Sequence, residues 1–284
     1  MLEFLIPNNM VCHATEAMLF ASIGCAVLSV LITQMKISSI GFTMAHGAFA
    51  GAAVGMFFGI EMSIAALIGS VFLAVVLGPL ADKTRMPLDT TIGVLFGAMM
   101  AIAIFFYALM QQMGTGANAT TLMFGSVISL YREDIYGLLA IMLILIAFVA
   151  IFYKEISAMI FHMKIAEITG IRTKFMMYAL LFMIALMVAL TLPIVGGLLM
   201  YVWLVSPAAI AYQFCGTLKH MIIVAPLIAA CISLVSVYLA FAYNFPVAPF
   251  SAILFSIIFA IAVAISPKRR VKKSVSRAEK VSEQ

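Results

Sequence analysis

Apolar residues fall in blocks of about 20, the length a helix needs to cross the hydrocarbon core of a bilayer. Five such blocks lie near residues 16–35, 40–60, 62–80, 90–110 and 134–153, and four more near 173–192, 194–213, 220–241 and 247–266. They are apolar on every face instead of at alternate positions, which excludes the strands of a barrel and predicts helices whose backbone groups are satisfied internally. The expected fold class is an all-α integral membrane protein of nine spans, or eight if the two blocks meeting at Pro193 form one bent element. Glu3, His13 and Glu16 precede or open the first block with no cation among them, so it reads as a retained span and not as a signal peptide.

Composition agrees with this picture and removes the soluble alternative. Of 284 residues, 65% are hydrophobic and 10% charged, and the mean hydropathy is +1.21. The charges sort by sign in a way that orients the spans. With nine spans, Lys36, Lys83, Arg85, Lys154, Lys164, Arg172, Lys174, Lys219 and seven cations between Lys268 and Lys280 all fall on the C-terminal side, and only Arg132 falls opposite. Positive charge marks the cytoplasmic face, so the N-terminus is expected outside and the C-terminus inside. The net charge of +5 is concentrated in that tail. It predicts a membrane domain over 1–267 and a basic cytoplasmic tail over 268–284 that binds the lipid surface, not nucleic acid.

Three connections are long enough to have a role. Residues 81–89, ADKTRMPLD, form a short cytoplasmic link, whereas 111–131 are uncharged and include an apolar stretch at 122–130 that is expected to cap the external mouth or dip into it. Residues 154–174 place Ile156, Met159, Ile160, Met163 and Ala166 on one helical face, with Gly170 as a plausible C-cap. The pattern predicts an amphipathic helix over about 156–170, serving as a surface anchor or as a docking element.

The second block, ISSIGFTMAHGAFAGAAVGMFFG, has Gly47, Gly51, Gly55 and Gly59 at intervals of four. That spacing predicts a bare stripe for close helix packing. His46 stands beside the stripe, the one histidine inside a span. An imidazole at membrane depth either binds a cargo such as Zn, Mn or Fe or hydrogen-bonds across helices. Met44 is a soft donor two residues away. His13 and Glu16 form an H-x-x-E pair at the external end of the first span that could attract a cation, although two ligands make a poor site. The 22 methionines are scattered over almost every span, as expected of apolar filler. Cys12, Cys25, Cys215 and Cys231 show no paired spacing, so neither a disulfide framework nor a thiolate metal site is expected.

The absences narrow the function. The chain has no GxxxxGK[ST] segment, no nucleophile elbow and no HExxH, so it is expected neither to bind ATP through a P-loop nor to be an enzyme. No cofactor is called for. No carboxylate within the blocks is placed to relay protons, which disfavours a proton-coupled carrier.

Four stretches resemble the ABC-3 family of metal-type permeases: SSIGFTMAHGAFAGAAVG at 38–55, LMFGSVISL at 122–130, FHMKIAEITGIR at 161–172 and VGGLLMYVWLVSPAAIAYQF at 195–214. The resemblance implies a type II ABC importer-like permease of a prokaryotic inner membrane, moving zinc, manganese or iron. It implies as partners a second permease subunit, most simply an identical one, cytoplasmic ABC ATPase subunits and an extracellular solute-binding protein. The 156–170 segment then matches the coupling helix, with Phe161, Met163, Ala166 and Gly170 at the ATPase, and His46 lines the path with Met44 nearby. One position departs from the pattern. The family's second span reads Gly-Asp-Ala-Leu-Ser-His-Ala, whereas residues 41–47 read GFTMAHG, so His46 is retained and Phe42 replaces the carboxylate. Asn244, Pro246 and Ala248 likewise depart from the family's Asp-x-Pro-Ser-Gly-like C-terminal pattern. A chelated metal or another small solute is the alternative cargo, and an ATP-independent channel the alternative class.

Overall fold

In hydrocarbon a chain must satisfy its own amides, and the computed structural model is helical throughout the spans. It describes residues 10–84, 88–113, 125 and 132–266. The apolar stretch expected at 122–130, apart from Gly125, and the basic tail at 268–284 lie outside the described residues. The helices are α1 (Met10–Gln34), α2 (Ser38–Phe57), α3 (Met62–Thr84), α4 (Leu88–Gln112), α5 (Arg132–Ile151), α6 (Tyr153–Phe161), α7 (Met163–Ile168), α8 (Thr173–Phe214), α9 (Leu218–Tyr243) and α10 (Val247–Ile265). Among the described residues, eight helices are long and apolar enough to cross a membrane, and Leu199–Phe214 is a shorter apolar one.

The choice between eight spans and nine turns on α8. Its 42 residues would reach about 63 Å if straight, twice the hydrocarbon thickness. Contacts at its two ends show instead that it doubles back. Tyr178 fills the space beside Gly78 near the end of α3, and Ser29 near the end of α1 accepts a hydrogen bond from Ala208 N at 3.2 Å. Gln213 O accepts from Ser266, the residue after α10, at 3.4 Å. The chain therefore reverses between Tyr178 and Ala208, and the break is at Gly196, with φ 78° and ψ 160°. The sequence reading set the turn at Pro193, three residues early. Proline holds φ in the helical range and costs one hydrogen bond, whereas this reversal needs a backbone region essentially closed to side-chain-bearing residues. The return arm is only 16 residues long, about 24 Å.

This path places Lys36, Lys83, Lys154, Lys164, Arg172, Lys174 and Lys219 on one side of the bundle and Arg132 on the other. Interhelical bonds tie the spans at depth. Ser70 Oγ donates to Ala185 O of α8 at 3.1 Å, and Thr43 Oγ1 to Ile92 O of α4 at 3.4 Å.

The glycine stripe seats α2 on α3. A Cβ at Gly51 would meet Ala65 O, with Gly69 Cα 2.7 Å away, and one at Gly55 would meet Ala65 Cβ. Gly47 faces Leu73 and the Gly69 carbonyl. Gly59 does not belong to this contact, which corrects the four-glycine stripe. It follows the end of α2 at φ +74° with open space around it. Gly59 N bonds Met56 O and Ile60 N bonds Gly55 O, a Schellman turn that needs a left-handed residue.

The helix expected over 156–170 is two short helices, α6 and α7, bent at His162, whose backbone is extended (φ −161°, ψ 103°). Gly170, at φ +90°, closes α7 with the same turn, Gly170 N to Glu167 O and Ile171 N to Ala166 O. Ala166 is 2% exposed and faces the bundle, so it cannot form part of a docking surface as the sequence reading had it. The small side chain there lets α7 lie close against the spans.

Gly51→Leu should force α2 from α3 and cost about 1–3 kcal/mol by overpacking, lowering the thermal unfolding midpoint in detergent. Gly59→Leu should lower it less, since only the left-handed turn is strained, about 1 kcal/mol.

Candidate functional site

His46 sits mid-way along α2, where the helix faces α4 and the return arm of α8. The side chain is half-buried, and its Nδ1 lies 2.8 Å from Phe42 O one turn earlier. That bond sets the tautomer, since a carbonyl can only accept. Nδ1 carries the proton and Nε2 keeps its lone pair.

The rings against this imidazole come from α2 and α4, and a third helix reaches them through Phe42. Phe42 lies 4.3 Å from the His46 ring, Phe96 of α4 lies 4.8 Å from it edge-on, and Phe49 is further off at 6.5 Å. Phe42 also meets Phe96 at 4.6 Å and Tyr201 of α8 at 4.5 Å. An uninterrupted aromatic set thus runs from α8 through α2 to α4, with one nitrogen donor inside it. Among the described residues no three of His, Cys, Asp and Glu converge. The site offers one lone pair and several ring faces but no anion, so a bare divalent ion would find its charge unbalanced there.

Met44 is not at this site. It is fully buried in the core, two residues from His46 and therefore about 200° around the helix. His13 and Glu16 lie within α1, which begins at Met10, earlier than the apolar block. His13 Nε2 is enclosed without a hydrogen-bond partner, while Glu16 accepts from Cys12 Sγ at 3.5 Å. The two are three residues apart on one helix, and no third His, Cys, Asp or Glu among the described residues completes a metal-holding group with them.

Phe96 and Tyr201 escaped the sequence reading, because an aromatic residue in an apolar block looks like any other filler. The phenol of Tyr201 was the available signal, a polar group at membrane depth.

Away from the spans, α6 and α7 form an elbow that lies past α5, on the side of the lysines. Its inner face buries Ile156 and Met159, both 5% exposed. The outer face carries Phe161 at 80% and Ile168 at 85% exposed, with Met163 and Ile165 between them at 42% and 57%. The sequence reading named Phe161 and Met163 of this outer face but not Ile165 and Ile168, since its apolar stripe ran mainly along the inner side through Ile156, Met159 and Ala166.

The family described as the ABC 3 transport family matches residues 8–266. The chain is 27% identical to the manganese transport system membrane protein MntC of Listeria monocytogenes serovar 1/2a, over 97% of this chain and 98% of that protein. It is 24% identical to the chelated iron transport system membrane protein YfeD of Yersinia pestis, over 92% and 86% of the two chains. Among solved structures, PsaBC from Streptococcus pneumoniae in complex with Fab superposes with a TM-score of 0.83 at 20% identity, covering 96% of this chain and 97% of that one.

Phe42→Asp would set a carboxylate one turn from His46 on the same face. Mn(II) retained by the purified protein should rise by about an order of magnitude, read by elemental analysis after desalting. Unchanged retention would mean that positions 42 and 46 do not converge on one ion.

Proposed function

The chain belongs to the ABC 3 transport family, and on that footing we propose that it is the permease subunit of an ATP-driven importer. The cargo is a divalent transition metal ion, of the class of zinc, manganese or iron, crossing a prokaryotic cytoplasmic membrane. ATP is hydrolysed on separate cytoplasmic subunits, and an extracellular solute-binding protein delivers the cargo.

The observation that carries this reading is the elbow of α6 and α7. Phe161 and Ile168 are more than three-quarters exposed on short helices beside Lys154, Lys164 and Arg172. A partner protein that buries those side chains gains apolar area. Because positive charge marks the cytoplasmic face, the elbow, the C-terminal tail and the ATPase share that side, with the N-terminus outside. The seven cations between Lys268 and Lys280 would favour anionic lipid at that face.

A second permease subunit, in the simplest case an identical chain, completes the path. The support is α4, the least buried span. Gly93 and Gly97 there have nothing within 4 Å of an added Cβ, and Val94 is 65% exposed. Phe96 of the same helix borders His46, so pairing through α4 brings the aromatic sites of two copies towards one shared path.

A second reading concerns the cargo. The replacement of the family's carboxylate by Phe42, with Phe96 and Tyr201 packed on it, favours a metal whose charge a chelator already balances, or another small solute. An ATP-independent channel is the weaker alternative, because the exposed elbow would then lack an occupant.

Uptake by vesicles holding this chain, its ATPase and its binding protein separates these readings across Zn, Mn, Fe, Co, Ni and Cu, each free and chelated. Free-metal accumulation that needs ATP and falls at least tenfold in His46→Ala is the expected result. Accumulation of chelates alone selects the second reading, and uptake without ATP selects the channel. Phe161→Asp should abolish co-purification of the ATPase while leaving the permease folded, since it places a charge in an apolar contact. Gly93→Leu and Gly97→Leu should abolish pairing, read by cross-linking in membranes, without lowering the unfolding midpoint of the single chain.

A further inference from the structure

Away from the aromatic site, an apolar hollow with a volume of about 560 Å³ lies between α1, α5 and α9. Its floor is Val27 and Val149, 3% and 4% exposed, and its rim is Ile223 and Leu227, 53% and 60% exposed. The hollow exists because the facing positions are small or ring-shaped, Ala150 of α5 and Pro226 and Ala230 of α9, so no side chain fills the gap. It opens sideways from the bundle, where the surroundings of a spanning helix are hydrocarbon.

Two further features define what fits it. The hollow follows α9 from Lys219 to Ala230, about 16 Å at the helical rise. That is the depth of one leaflet, half of the roughly 30 Å hydrocarbon core. Its end at the membrane surface is polar, with Lys219 and Tyr153 lining it. Lys219 is exposed, and among the described residues none forms an ion pair with it. An apolar slot one leaflet deep, ending in an unpaired cation, matches one lipid chain joined to an anionic headgroup.

We propose that this slot binds an anionic phospholipid of the leaflet on the lysine side. One acyl chain lies between α1, α5 and α9, and the phosphate meets Lys219. The occupant fills the seam where α5 passes into α6, so it braces the helix that carries the elbow. The charge selects the headgroup, and the length selects the leaflet. Neither feature depends on what the permease carries.

Native mass spectrometry of the purified full-length chain, delipidated and then titrated with phosphatidylglycerol or phosphatidylcholine of identical chains, tests this. Phosphatidylglycerol should be retained in preference, and Lys219→Gln should reduce its retention about fivefold, as expected for one basic residue at a membrane surface. Lys83→Gln, a cation on the same side but outside the slot, should leave retention unchanged. Ala230→Phe, which fills the slot and keeps the charge, should lower the binding of both lipids, with a midpoint of unfolding no lower than that of the parent. Equal retention of the two lipids, loss in Lys83→Gln as large as in Lys219→Gln, or retention untouched by Ala230→Phe would each overturn the assignment. So would cross-linking between copies through Leu227→Cys in membranes, because the slot would then be covered by protein.

Discussion

A backbone amide freed inside hydrocarbon costs several kcal/mol unless another group accepts it, and this constraint governs where the helices of the fold can break. The reversal at Gly196 is the clearest case. It interrupts a 42-residue helical run at the one type of residue that reaches φ 78°, ψ 160° without strain. Gly125, with φ +70°, is packed against the backbone of residues 194–196 so closely that a Cβ would strike the Ile194 carbonyl. The turn is thereby covered by the backbone of Gly125. Near Pro207, where the helical ladder loses a donor, Ser29 Oγ accepts from Ala208 N.

The same economy governs packing. Lipid tails are as apolar as side chains, so helices associate through close contact and not through escape from water. Gly47, Gly51 and Gly55 let α2 touch the backbone of α3 at Gly69 and the side chain of Ala65. With that face of α2 committed to α3 and Met44 buried in the core, His46 and Phe42 are left on the remaining face, toward α4. The position of the imidazole is therefore a consequence of where the glycines are. Its ring is then held by its bond to Phe42 O and by the rings on either side.

How much of this could be read from the chain follows from the range of each signal. The spans were legible because burial in lipid demands an apolar block of fixed length, and the block borders agree with the helices to within a few residues except at α1, which begins at Met10 and takes in His13. Gly51 could be read as a packing residue, but Gly59, at the same spacing, could not be told from it. Periodicity does not reveal where a helix stops, and only the hydrogen bonds to Met56 and Gly55 show that Gly59 ends α2. The bend at His162 was hidden for a similar reason, since the apolar spacing continues across it. Phe96 as a neighbour of His46 and Tyr201 as a neighbour of Phe42 were illegible because these contacts join α2 to residues about 50 and 160 positions away, a separation that periodicity within one block does not reach.

The geometry also bears on how the elbow and the site communicate. α7 ends at Ile168 and α8 begins at Thr173, so the first arm of α8 is joined to the elbow by four residues. That arm is pinned to α3 through Ser70 and Ala185. The return arm, five residues beyond the Gly196 break, sets Tyr201 against Phe42 and Leu204 against Gly41. A displacement of α7 therefore has a covalent path to the aromatic set through a single reversal. A helix is stiff along its axis, whereas a glycine in an open turn is not, and the close Gly125 contact limits the room this turn has to bend. Gly125 closes over the turn, and the absence of a Cβ there is what allows so close an approach.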